Sequence, residues 1–145
     1  YKMPHLRGWA VEGHQVYLPA IGRHEVLVAD TIHWKETARI AVRGQPVFVV
    51  ARPDGRQVWV NFAFPDNGFV QVIDTLSGKI VQTLEPGKAV LHLEFTPRGE
   101  TVWASARDDN KVLVYDTASF AKLAELPADS PSGIFFTSRA HRIGF

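Results

Sequence analysis

The sequence predicts an all-β chain, part of a β-propeller, with three four-stranded antiparallel blades and the start of a fourth. Two sets of anchors predict it. Val26-Leu27-Val28-Ala29-Asp30-Thr31, Val70-Gln71-Val72-Ile73-Asp74-Thr75 and Val112-Leu113-Val114-Tyr115-Asp116-Thr117 are nearly the same phrase, with their aspartates 44 and 42 residues apart. Gly13, Gly55 and Gly99 each precede a Val–aromatic pair, Val16-Tyr17, Val58-Trp59 and Val102-Trp103, at intervals of 42 and 44 residues. A period of about 40–45 residues built from short strands is that of propeller blades. Such a blade cannot bury both of its faces alone, so the chain reads as an arc of a ring.

Each element follows from the local pattern. Blade one, at about residues 5–46, takes strands at Trp9 to Val11, His14 to Pro19, Glu25 to Asp30 and Thr37 to Val42. Blade two, at about 47–90, is the clearest. Val47-Phe48-Val49-Val50-Ala51 is a continuous apolar run, as an innermost strand covered on both sides requires. Pro53-Asp54-Gly55-Arg56 is a tight turn, in which proline presets φ and glycine accepts φ > 0. Val58 to Phe62, Phe69 to Asp74 and Lys79 to Leu84 complete the blade. Blade three, at about 91–133, places strands around Leu93 to Phe95, Thr101 to Ser105, Lys111 to Asp116 and Ala121 to Leu126. Ile134 to Thr137 opens the inner strand of a further blade at 134–145.

The 145 residues hold only three blades and part of a fourth, whereas closed propellers use about 4–8. The expectation is that further blades precede this stretch or come from another chain, and that the isolated arc self-associates or is poorly soluble. Net charge is +1, from 16 basic and 15 acidic residues, which gives no reason to expect nucleic acid or anionic lipid as partner. No apolar run approaches the roughly 18 residues of a membrane helix. No signal peptide opens this stretch, and part of a longer chain is not expected to carry one. With no cysteine, disulfides and thiolate metal sites are excluded.

The strand order sorts the loops onto two faces. The Gly turns and the Asp-Thr turns share one and read as structural. The other, the mouth, gathers Pro4 to Arg7, Gly22 to His24, Asn61 to Gly68, Lys88 to His92 and Ala106 to Asn110. His5 stands out there. Counting eight residues back from each repeat glycine aligns His5 with Val47 and Leu91, so an imidazole replaces an apolar side chain where an inner strand begins. Imidazole ligates haem iron or moves protons near neutral pH, although an ordinary loop histidine fits the same spacing. His92 lies one residue past Leu91 and also approaches the mouth. His14 and His141 fall at turns of the structural face, His33 follows an Asp-Thr turn, and His24 sits in a mouth loop. Arg7, Arg23 and Arg107 suit ligand carboxylates through bidentate contacts, or are solvated. Phe62 and Phe64 either stack on a flat ligand or close the top of the blade. Asp108-Asp109-Asn110 lacks the glycine and distal glutamate of an EF-hand and reads as a hairpin turn. Gly-x-Ser-x-Gly, His-Glu-x-x-His and phosphate-loop motifs are absent.

Five segments carry a resemblance beyond periodicity. They are Lys2-Met3-Pro4-His5-Leu6-Arg7-Gly8-Trp9, Gly44-Gln45-Pro46-Val47-Phe48, Trp59 to Asp66, Gly87-Lys88-Ala89-Val90-Leu91-His92 and Pro131-Ser132-Gly133-Ile134-Phe135-Phe136. Together they resemble the NirF family of haem d1 biosynthesis, relatives of the d1 propeller of cytochrome cd1 nitrite reductase. The resemblance implies an eight-bladed ring, of which this chain is the C-terminal part. It implies a periplasmic place in denitrification, with haem d1 or a late precursor held at the mouth as substrate or product. It implies contacts from His5, Arg7, Trp9, Phe62, Phe64, His92 and Arg107, with His5 as the catalytic candidate and a distal ligand to the iron. His5-Leu6-Arg7-Gly8-Trp9 matches the reductase's His-x-x-Gly-Trp. A second distal histidine of the reductase lies in Pro-His-Pro, and the matching place here is Pro46-Val47, without an imidazole. That departure speaks against nitrite reduction. An oxidoreductase-like or side-chain step on the precursor, and simple holding and delivery, both stay open. Other haem d1 pathway proteins, the nitrite reductase and a second copy are the implied protein partners. A propeller scaffold for protein contacts is the alternative that periodicity alone allows.

Overall fold

The structure is a computed structural model, and it describes residues 10–136. Twelve strands form three four-stranded antiparallel sheets. β1 (Ala10–Glu12), β2 (Gln15–Pro19), β3 (Glu25–Asp30) and β4 (Lys35–Ala41) make blade one. β5 (Pro46–Ala51), β6 (Gln57–Phe62), β7 (Val70–Asp74) and β8 (Lys79–Leu84) make blade two. β9 (Val90–Phe95), β10 (Thr101–Ala106), β11 (Lys111–Asp116) and β12 (Lys122–Pro127) make blade three. Each blade pairs its strands in chain order, so the predicted partial propeller stands.

The middle blade shows why the strands read as they do. On β6, Val58, Val60 and Phe62 pack toward blade one with Tyr17, Val26 and Val28. The intervening Trp59 packs the other way, with Phe95, Val102 and Leu113 of blade three. Both faces of the strand are buried, and each alternate set of side chains belongs to a different inter-blade core. The repeated aromatic is the plug of that core: Tyr17 is 2% exposed and Trp59 1%. Trp103, the same position in blade three, has no following blade among the described residues and stays half-exposed, edge-on to Phe136 at 5.5 Å.

Both sequence anchors have a structural cause on the face opposite the mouth. The threonine of each Asp-Thr turn bonds the glycine turn of its own blade: Thr75 Oγ1 donates to the Gly55 carbonyl at 2.7 Å and Thr117 Oγ1 to Gly99 at 2.6 Å. In blade one Thr31 reaches the His14 carbonyl instead. Each aspartate accepts backbone N–H groups of its own turn, Asp30 from Ile32, Asp74 from Ser77 and Asp116 from Ser119. The glycines combine left-handed backbone with close approach. At Gly99, φ is +76° and an added Cβ would lie 2.8 Å from Pro53 Cδ of blade two. At Gly55 an added Cβ would run into the Glu12 carboxylate of blade one, whereas Gly13 meets nothing.

Several strand boundaries shift by one or two residues from the expected ones. β4 begins at Lys35 rather than Thr37 and β12 at Lys122 rather than Ala121. A bulge recurs at Val28/Ala29, Val72/Ile73 and Val114/Tyr115, turning Thr37, Val81 and Leu123 outward, and this breaks the period-two pattern. Ile134 to Phe136 take no strand pairing, because no neighbouring strand of a further blade is present among the described residues. Thr137 lies beyond them.

Candidate functional site

The mouth end of the inner strands is where the chain departs from plain ladders. β5 and β9 each carry a bulge there, opposite Asn61 and Ser105 respectively. Asn61 and Ser105 stand six residues after their repeat glycines and are both buried. A bulge removes a backbone group from the ladder, and these side chains replace the missing partner. Asn61 Oδ1 accepts the Phe48 N–H at 2.9 Å, and its Nδ2 donates across the blade boundary to the Val90 carbonyl at 2.9 Å. Ser105 Oγ accepts the His92 N–H at 3.0 Å. The effect is to fix Phe48 and His92, equivalent residues of adjacent blades, on the inner strands near the mouth.

Their rings form a row. Phe48 meets His92 edge-on at 6.2 Å, and His92 meets Phe135 at 5.4 Å with the planes tilted by 44°. Nδ1 of His92 accepts the Ile134 N–H at 3.1 Å. Burial pushes the His92 imidazolium pKa below its ordinary value. Above the row the mouth loops are tied to each other. Arg43 donates from its backbone to Gln71 Oε1 and from Nε to Asp66 at 3.0 Å, with its guanidinium 3.7 Å over the Phe69 ring. In blade three the Lys88 N–H donates to Asp109 at 2.9 Å. Each loop aspartate closes on an inter-blade glycine, Asp66 on Gly44 and Asp109 on Gly87.

The residues expected at the site divide. His5, Arg7 and Trp9 lie outside the described residues, as does His141. Val47 and Leu91, the repeat equivalents of His5, both sit in the inner-strand bulges and are half-exposed. His92 is at the mouth, in the ring row. Phe62 is 2% exposed in the core between blades one and two, so it closes the blade and offers no face to a ligand. Phe64 projects from the β6–β7 loop at 84% exposure. Arg107 lies in a 3-10 turn, Arg107–Asp109, and its Nε donates to Asp108 at 2.7 Å. The Asp108 carboxylate raises the guanidinium pKa, and both groups are solvent-exposed. The Asp108–Asn110 stretch is a turn, as the sequence suggests, and no cluster of three or more potential metal ligands occurs among the described residues. His14, His24 and His33 are exposed, the last paired with Asp30 on the structural face.

Phe48, Phe135, Asn61, Ser105 and Arg43 are the site residues that sequence reasoning missed. Asn61 and Ser105 were findable: polar residues at the same offset from a repeat glycine, inside otherwise apolar strands, mark a bulge that needs a partner. No helix among the described residues is long and apolar enough to cross a membrane.

Comparison with known proteins places the chain in a family. The chain is 58% identical over 144 residues to Protein NirF of Stutzerimonas stutzeri and 54% identical to Protein NirF of Pseudomonas aeruginosa. Each alignment covers 99% of this chain but 37% of the relative, so the chain spans little more than a third of their length. The solved structure of dihydro-haem d1 dehydrogenase NirN in complex with DHE superposes with a TM-score of 0.76 at 28% identity, over 82% of this chain and 26% of that one. The family model for the cytochrome D1 heme domain matches residues 1–140, and the chain belongs to that family.

Proposed function

We propose that the complete protein is a haem d1 biosynthesis protein, and that this arc supplies part of the mouth at which haem d1 or a late tetrapyrrole precursor sits as substrate or cargo. The observation that carries this reading is the row Phe48, His92 and Phe135 on the inner strands, held in place by Asn61 and Ser105. Aromatic edges and a half-buried imidazole suit the rim of a flat, largely apolar macrocycle with a few polar substituents. Family membership and the NirN complex with DHE support the same ligand class. In this reading His5 faces the distal side of the macrocycle, with Arg7 and Trp9 beside it. Phe64 and Arg107 are the mouth residues free to move onto a ligand, Arg107 by exchanging the Asp108 carboxylate for one on the ligand. The macrocycle supplies the redox chemistry, and this chain's residues bind it, orient it and exclude water. The site's setting is periplasmic, and the substrate passes to or from other proteins of haem d1 synthesis.

Titration of the full-length protein with haem d1, followed by absorption, tests this. Saturable binding with a shifted spectrum is expected, altered in His5→Ala and unaltered in His14→Ala, which lies on the opposite face. A full-length protein that leaves the haem d1 spectrum unchanged is the contrary result, and points to a scaffold for protein contacts instead.

A further inference from the structure

His92 carries more information than its position. Its backbone N–H is tied to Ser105 Oγ, and its ring is held between Phe48 and Phe135. The partner of Nδ1 is a backbone N–H, that of Ile134, at 3.1 Å. A backbone N–H only donates, so Nδ1 presents a lone pair and carries no proton. The ring is half-buried beside Phe48 and Phe135, and burial lowers its proton affinity. A neutral imidazole without a proton on Nδ1 carries it on Nε2. Nε2 has no hydrogen-bond partner among the described residues.

We infer that His92, with its proton fixed on Nε2, is a hydrogen-bond donor to an acceptor oxygen of the ligand at the mouth, a carboxylate or carbonyl on the rim of the macrocycle. An Nε2 that holds its proton has no lone pair for iron and cannot accept a proton, so His92 is neither axial ligand nor general base. The role separates His92 from His5. His5 is the candidate for work at the metal, and His92 reads the edge of the ring and sets its rotation. Phe48, the equivalent residue of blade two, cannot make this contact, so the donor distinguishes blade three from blade two. This inference rests on the proposed ligand at the mouth.

The test uses the full-length protein labelled with ¹⁵N-histidine. Before and after addition of haem d1, His92 should show an unprotonated Nδ1 and a protonated Nε2, and the ligand should move the Nε2–H resonance. A proton on Nδ1, or loss of the Nε2 proton on binding, overturns the inference. His92→Phe keeps a ring in the row and removes the donor. Haem d1 should then bind about tenfold more weakly, with its absorption maximum in place because no axial ligand is lost. His92→Gln, which restores an N–H near Nε2, should recover most of that affinity. Wild-type affinity in His92→Phe sinks the donor role alone. A wild-type protein that binds no haem d1 sinks the ligand reading together with it.

Discussion

At the scale of single residues, two kinds of polar side chain organise this chain, and they do opposite jobs. Thr117 is 1% exposed and gives its hydroxyl to the Gly99 carbonyl, closing the blade at the structural face. Thr117→Val removes that bond and leaves the carbonyl to Arg52 Nε alone, at a cost of about 0.5–1.5 kcal/mol, which denaturant unfolding would register. The aspartate before each such threonine titrates low. At Asp30 and Asp116 the first cause is a backbone N–H, from Ile32 and Ser119, and at Asp74 it is the Ser77 hydroxyl. A carboxyl whose folded pKa is depressed stabilises the fold above its unfolded pKa and loses that effect as pH falls through the folded value. The stability these three aspartates supply should therefore be constant from neutral pH down to about 4 and then decline. Asp→Asn at the three positions should flatten that decline in pH-dependent melts. An unchanged acid limb in the triple variant would show that the three turns are not linked to folding. At the mouth, Asn61 and Ser105 serve the bulges that present Phe48 and His92.

At the scale of elements, the blade was legible in the sequence because its anchors have geometric causes that no neighbour overrides. The Asp-Thr phrase is a turn with its own hydrogen bonds, and the glycine needs both positive φ and room. The second requirement comes from the adjacent blade, which predicts a difference between equivalent positions. In the 145-residue chain, Gly13→Ala meets only the left-handed backbone penalty of about 1–2 kcal/mol. Gly99→Ala adds overlap with Pro53 and Arg52, so it should destabilise clearly more in the same unfolding assay. Equal losses would mean the blade contact yields without cost. The outer strands were less legible. Val81 and Leu123 are 50% and 58% exposed, thrown outward by the recurring bulge, so apolar residues there do not mark a buried face. The place of His92 at the mouth was legible from its spacing, and its hydrogen bonding was not: Nδ1 is tied to the N–H of Ile134, 42 residues away, which leaves no trace in local pattern.

At the scale of the molecule, the arc has an uncovered end. Tyr17 and Trp59 are sealed by the blade that follows each, while Trp103 is not. Exposed apolar faces of this kind favour association, so the isolated 145-residue chain should scatter light as a species larger than a monomer. A compact monomer would contradict that expectation. In a closed ring the same faces are internal, and the proposed function gives the two ends of the blades different tasks: the Gly and Asp-Thr turns for closure, the bulged ends of β5 and β9 for the proposed ligand. Hydrogen exchange of the full-length protein with and without haem d1 tests this division most directly. The account predicts new protection at residues 44–48, 88–92, 107–110 and 131–135, with Thr31, Thr75 and Thr117 unchanged. Protection centred on those three threonines, with the mouth segments unmoved, would contradict it.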